Sequence, residues 1–303
     1  STQLPTHFDM ILSPENEHYL SLPGISVLVG GLWVMNISYW GFNQYIIQRA
    51  LAAKSVGEAQ KGIVFAAYLK LLMPLIVVLP GIAAVILYPT LNTPDQAYPT
   101  MMSLMPVGIK GLVFAALVGA IVSSLASMTN SISTIFTMDI YRLIKPTESQ
   151  NHYVTVGRVV TVFSLIVALI TAQPLLGEFD QAFQYIQEFT GVFTPGIVVI
   201  FLMGMFWNKA NSLGALASAL GSAVISFLLR AFWPELPFMD RIGLVFLLCL
   251  VLCVIVSLLT QSTSKDSAAC ADTKSVCFNT SFGFNIGSIG VAAILTVLYA
   301  VWW

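Results

Sequence analysis

Stretches near residues 22–48, 61–88, 108–137, 154–174, 181–207, 212–233, 241–260 and 283–303 are each apolar over the length a helix needs to cross hydrocarbon, about twenty residues. Inside a bilayer every backbone N–H and C=O must be paired within its own segment or closed sheet, so such stretches have one outcome, a bundle of spanning helices. Composition agrees. Of 303 residues, 57% are hydrophobic and 9% charged, too few charges to coat a soluble domain of that length. The expected fold class is therefore all-α integral membrane. Net charge is −1 and no basic run occurs, which removes nucleic acid as a partner and makes the lipid bilayer the first one. Cys249 and Cys253 fall in an apolar span, Cys270 and Cys277 in a polar loop. Neither a metal-site spacing nor a disulfide framework results, so packing is expected of the first two and reduced thiols of the others.

Basic residues orient the spans. Arg49, Lys54 and Lys61 lie between the first and second, Arg142, Lys145 and Arg158 between the third and fourth, Lys209 after the fifth, and Lys265 and Lys274 after the seventh. The intervening connections hold only Lys110, Arg230 and Arg241, at span edges. Alternate loops are thus expected in the cytoplasm, with the starting segment and the carboxyl-terminal Trp302-Trp303 outside. The opening "STQLPTHFDMILSPENEHYLSLPG" has neither an initiator methionine nor a signal peptide, and the expectation is that the chain is cut from a larger protein.

Two spans carry breakers. The first contains "WVMNISYWGFNQY", with Asn36, Ser38, Gly41, Asn43 and Gln44 where apolar residues belong. The fifth contains "QYIQEFTGVFTPG", where Thr190-Gly191 and Pro195-Gly196 discourage a continuous ladder. Glycine and proline are common in membrane helices, yet an interruption beside polar side chains is also how transporters expose backbone to a solute.

Lys70, inside "AAYLKLLMP", stands nine residues past Lys61, roughly 14 Å along a helix. An intramembrane ammonium faces a cavity or a partner, unless it snorkels to the interface. Asn36 and Tyr39, three apart, share a helical face, where an amide and a ring suit a neutral hydroxyl-rich ligand. Gln187, beside Glu188, offers the same chemistry, and hydrogen bonding between helices is the plainer role for all such amides. In "GAIVSSLASMTNSIST", Ala120, Ser124, Ser127 and Ser131 form a stripe with Ser123 beside it. Oxygens of this kind suit a hard cation, and close helix packing is the competing explanation. No enzymatic constellation is visible: His7, His18 and His152 are placed in loops, and Asp139 with Arg142 is a local ion pair at a span end.

The stretches "YWGFNQYIIQRALAAKS", "KGIVFAAYLK", "AIVSSLASMTNS…TIFTMDIY" and "QAFQYIQEFTG" resemble the sodium:solute symporter family, on its sodium/glucose cotransporter side. "GMFWNKANSLGA" resembles a second signature through Gly204, Lys209 and Gly214-Ala215, and the resemblance runs along essentially the whole chain. It implies the LeuT-type inverted-repeat transporter fold. Residues 1–21 would be an extracellular loop and 22–207 the second five-helix repeat, two of its helices broken. Residues 208–303 would be three peripheral transmembrane helices with a cytoplasmic loop at 261–282. The resemblance assigns Asn36, Lys70 and Gln187 to sugar binding, Tyr39 and the adjoining Trp40 to a gate, and Ala120, Ser123 and Ser124 to sodium. It implies a galactose- or glucose-type sugar, sodium as coupling ion with no other cofactor, a multi-pass plasma (inner) membrane location, and a first repeat as further partner. The outer loop at 89–106 looks shorter than in the family, and with the first repeat absent this chain alone is expected not to transport. Alternatives are a symporter of another small solute (proline, pantothenate, an anion), a transporter-like sensor module, and a channel.

Overall fold

A helix in a membrane gains nothing from hydrophobicity when it meets another, so its partners are chosen by close approach and by hydrogen bonds. Both are visible in the computed structural model, which describes residues 11, 15, 19, 24–89, 91, 93–176, 182–260 and 279–302. Its helices are α1 (Ile25–Val29), α2 (Gly31–Ile37), α3 (Gln44–Leu51), α4 (Val56–Lys70), α5 (Leu79–Leu87), α6 (Ala97–Ser103) and α7 (Val107–Thr134), followed by α8 (Arg142–Ile144), α9 (Gln150–Leu176), α10 (Ala182–Phe206), α11 (Ser212–Phe232), α12 (Phe238–Leu259) and α13 (Phe282–Val301). No strand occurs among the described residues. Eight helical segments there are long and apolar enough to cross a membrane. The chain is a multi-pass membrane protein.

Three spans change pitch. π-Turns occupy Ser38–Phe42, Pro74–Val78 and Ile135–Tyr141. The first falls where the sequence places an interruption, and Asn43 beyond it is extended, with φ −85° and ψ 114°. The other two were not expected. Pro74 explains one, since it has no N–H to continue the ladder of α4. The fifth span differs in the opposite sense: α10 runs unbroken from Ala182 to Phe206 with Pro195 inside it. Residues 89–106, read as a loop, contain α6, entered by a short 3₁₀ turn at Pro94–Gln96. His152 lies in the first turn of α9, its ring 2.9 Å from the Tyr141 hydroxyl, rather than in a loop. Asp139 and Arg142 make no ion pair, because the π-turn Ile135–Tyr141 alters the spacing that would have aligned them. His7, His18, Cys270, Cys277 and most of the expected loops 1–21 and 261–282 lie outside the described residues.

The chain divides into two units. One takes the described residues of 1–43, 53–68 and 183–303. Within it α2, α10 and α12 meet at Val34, Val198, Phe238 and Ile242, and Phe42 stacks on Phe201 with ring centroids 4.6 Å apart. A side chain at Gly31 would collide with the backbone carbonyl of Met239, so α2 and α12 cross backbone to backbone. Ser26 adds a hydrogen bond to Asp240, 3.0 Å. Val199, Val245, Cys249 and Cys253 fill a second cluster, and both cysteines are buried and free, as their packing role requires. At the other edge Gln60 holds the entry to α13 twice, donating to the Asn279 carbonyl at 3.1 Å and accepting from the Ser281 N–H at 3.0 Å. The Tyr68 hydroxyl donates to the Gly287 carbonyl at 3.2 Å.

The second unit takes residues 44–52 and 69–182. Here α7 packs against α9 and α3, and Ser133 donates to the Gly157 carbonyl, 2.9 Å, at the α7–α9 approach.

Candidate functional site

Asn36 ends the α-helical part of the first span. Its Nδ2 donates to the Leu32 carbonyl one turn back at 2.8 Å, leaving the side-chain oxygen as acceptor. Tyr39 and Trp40 follow in the π-turn, 41% and 44% exposed despite their size. Their rings meet edge to face, centroids 5.1 Å apart and planes at 81°. A π-turn is wider than an α-turn, so the three-residue spacing from Asn36 no longer fixes one common face. The turn instead sets two large aromatics side by side at the end of a helix that stops at Asn43.

Gln187 lies in the second turn of α10, half-buried, and its amide makes no hydrogen bond among the described residues. Its neighbour Glu188 faces Arg230 of α11 at 4.0 Å. Further along α10 the hydroxyls turn inward on their own backbone: Thr190 donates to the carbonyl of Ile186 at 2.8 Å, and Thr194 to that of Thr190 at 2.8 Å. The rung next to the proline is bridged from outside. Ser222 of α11 donates to the Val192 carbonyl at 2.7 Å and accepts from the Gly196 N–H at 3.1 Å. Gly196 has no room for a side chain, since a Cβ would lie 2.5 Å from the Ser218 carbonyl oxygen. Asn36, Tyr39, Trp40 and Gln187 all belong to the first unit.

Lys70, of the second unit, is the last residue of α4. Lys70 is exposed, and the α-helix of its span gives way directly after it, before the π-turn at Pro74–Val78. Pro74, four residues on, cannot donate to the Lys70 carbonyl, and the negative end of a helix dipole favours an ammonium.

Ala120, Ser123 and Ser124 lie on an unbroken stretch of α7 in the same unit and are exposed. The hydroxyls of Ser123 and Ser124 make no hydrogen bond among the described residues. Ser127, the next member of the stripe, is committed: it donates to the Ser123 carbonyl at 2.9 Å and accepts from Arg49 of α3. The stripe thus separates into an open part and an engaged part, and the open part is the one that can offer oxygens to a cation. Arg49, Gln48 and Asn130, which surround Ser127, escaped the sequence reading. Arg49 was visible there only as one charge in a topological bias.

The model of the sodium:solute symporter family matches residues 2–221. A sodium/glucose cotransporter of Vibrio parahaemolyticus is 49% identical over 317 residues, covering 99% of this chain and 58% of that protein. The sodium/myo-inositol cotransporter 2 of Oryctolagus cuniculus is 36% identical over 215 residues, 65% of this chain and 32% of that protein. An uncharacterized symporter, YidK, of Escherichia coli (strain K12) is 38% identical over 200 residues, 65% of this chain and 35% of that protein. The chain's match therefore spans 32% to 58% of the length of these relatives.

Proposed function

Since the chain belongs to the sodium:solute symporter family, we propose that it forms part of a sodium-coupled symporter for a galactose- or glucose-type sugar, working by alternating access. The observation that carries this reading is the near-complete match, at 49% identity, to a protein named for sodium and glucose. The broken first span supports it, because an amide acceptor and two half-exposed rings at a helix end suit a sugar's hydroxyls and its apolar face.

In this proposal Asn36, Lys70 and Gln187 bind the sugar, with Tyr39 and Trp40 as the gate. Sodium is held by the Ala120 carbonyl and the Ser123 and Ser124 hydroxyls, and no further cofactor takes part. The remaining contacts come from the first repeat that the fold implies. The protein sits in the plasma (inner) membrane with lipid around it and its carboxyl terminus outside. Sodium binds the outward-open state better than the inward-open one and so favours the form that accepts sugar; a ligand with equal affinity for both would shift nothing. The membrane potential adds about 2.3 kcal/mol per charge per 100 mV. Sugar entry closes the outer side, and displacement of Tyr39 releases both solutes inward.

The test is uptake of labelled galactose into proteoliposomes holding the complete protein that carries this chain, with and without an inward sodium gradient. Sodium-dependent accumulation competed away by glucose is expected. No uptake by folded, inserted protein removes galactose as cargo. A cyclic polyol is the second reading, favoured by relatives named for myo-inositol. Competition by inositol in the same assay decides it.

A further inference from the structure

Two consecutive side chains of α3 grip α7 just beyond the open serines. Arg49 Nη2 donates to the Ser127 hydroxyl, which donates in turn to the Ser123 carbonyl at 2.9 Å. Gln48 Nε2 reaches the Ser127 carbonyl at 3.5 Å, and Asn130 Nδ2 donates to Gln48 Oε1 at 3.2 Å. The clasp lies wholly within the second unit. Ser127 is three residues past Ser124 and four past Ser123, so it occupies the same helical face, about 5 to 6 Å further along.

A guanidinium stays charged under any condition the protein meets. Held at this place, it puts a fixed positive charge one helical turn from the exposed, uncommitted hydroxyls of Ser123 and Ser124. Its attachment also removes Ser127 as a ligand, since the hydroxyl proton points to the Ser123 carbonyl and a lone pair is taken by Arg49. Neutral oxygens without a carboxylate bind a monovalent cation weakly, and a nearby guanidinium weakens them further. A coupling ion needs a site it can leave.

We propose that Arg49 sets the sodium affinity of the α7 face, its guanidinium being held by Ser127 one turn from Ser123 and Ser124. The inference rests on the sodium role given to that face under the proposed function. Arg49 makes no hydrogen bond to Ser123 or Ser124; it acts through its charge and through Ser127, and is a positioning residue.

The experiment titrates sodium against the thermal stability of the purified complete protein, with choline replacing sodium at constant ionic strength. The half-saturating sodium concentration is the readout. R49Q is expected to lower it on the order of threefold or more, because the repelling charge is gone. R49K, which keeps a charge, should recover most of the wild-type value. S127A frees the guanidinium from its place and should move the midpoint in the same direction as R49Q. Equal shifts from R49K and R49Q, or an unchanged midpoint in both R49Q and S127A, overturn the proposal. Should R49Q fail to fold, R49K and S127A still decide it: a wild-type midpoint in S127A sinks the idea. S124A separates the two readings. Wild-type protein without a saturable sodium response, or one that S124A leaves intact, removes the sodium face and this inference with it. A response abolished by S124A and untouched at Arg49 and Ser127 removes the Arg49 role alone.

Discussion

Lys70 stands at a helix end. As the last residue of α4 it stands where carbonyls lack helical donors, with Pro74 ensuring that the ladder does not continue. A cation at such an end gains about 0.3 to 1 kcal/mol at an exposed site and up to about 2 when partly buried, which offsets some of the cost of an intramembrane ammonium. An ammonium carries three N–H donors, and the sugar role proposed for Lys70 directs one of them to a solute oxygen. Replacing Lys70 by Ala in the complete protein should therefore raise the half-saturating sugar concentration about tenfold or more, since hydrogen bonds to charged groups contribute about 1.5 to 3 kcal/mol. Lys70→Arg keeps the charge at the helix end but not the compact ammonium, and should restore expression without restoring affinity. Uptake kinetics at saturating sodium measure both. A wild-type KM in Lys70→Ala would leave Lys70 as a helix-end charge with no sugar contact. At this scale the sequence was legible wherever a side chain is foreign to its surroundings: Asn36, Tyr39, Trp40, Lys70 and Gln187 each stand out against apolar neighbours. Arg49 did not, because its partner Ser127 is brought to it by the packing of α3 on α7, which no local spacing reveals.

Among the elements, α10 shows how a helix survives its own breaker. Pro195 removes one donor, and Gly191 and Gly196 weaken the local preference for helix. Ser218, Ser222 and Ser226, one per turn of α11, are all buried, the first donating to the Cys249 carbonyl of α12 and the other two turned to α10. Ser222 bridges the Val192 carbonyl and the Gly196 N–H, and Ser226 lies 3.4 Å from the same carbonyl. The repair thus comes from the next span, and a reading that weighs glycine and proline within one segment sees only the breakers. Among the described residues no side chain bridges the first span at Asn43, where its helix stops, so one expected interruption is found and the other is not. Ser222→Ala should lower the unfolding temperature of the complete protein by a few degrees, because an interhelical hydrogen bond in a membrane averages about 0.6 kcal/mol and reaches about 1.7. Gly196→Val should be far worse, since its branches would press on the Ser218 carbonyl where even one carbon does not fit. Thermal unfolding in detergent measures both. Equal stability of Ser222→Ala and the parent would show that α10 crosses its proline without help from α11.

At the scale of the molecule, each unit is assembled from separate pieces of chain, so neither was apparent from the linear order of spans. What was apparent is that the spans exist and where they lie, because the apolar runs are set by the thickness of hydrocarbon rather than by any tertiary partner. The outward side chains fit that solvent: Val122 is 60% exposed, Leu169 79% and Ile289 68%, which only lipid or further apolar helices tolerate. Orientation follows from a different physical cause, the retention of Lys and Arg on the cytoplasmic side during insertion. The turn after α8 lies between Arg142, Lys145 and Arg158, whereas the connection from α11 to α12 at 233–237 carries Glu235 and no basic residue of its own. With Cys270 and Cys277 replaced by Ser, a cysteine placed at Glu235 should react with an impermeant maleimide on intact cells. One placed at Thr147 should react only after the membrane is opened. The buried Cys249 and Cys253 should stay silent in both cases. The opposite pattern would invert every span together and turn the coupled direction around, placing the engaged Ser127 and Arg49 on the side from which sodium enters.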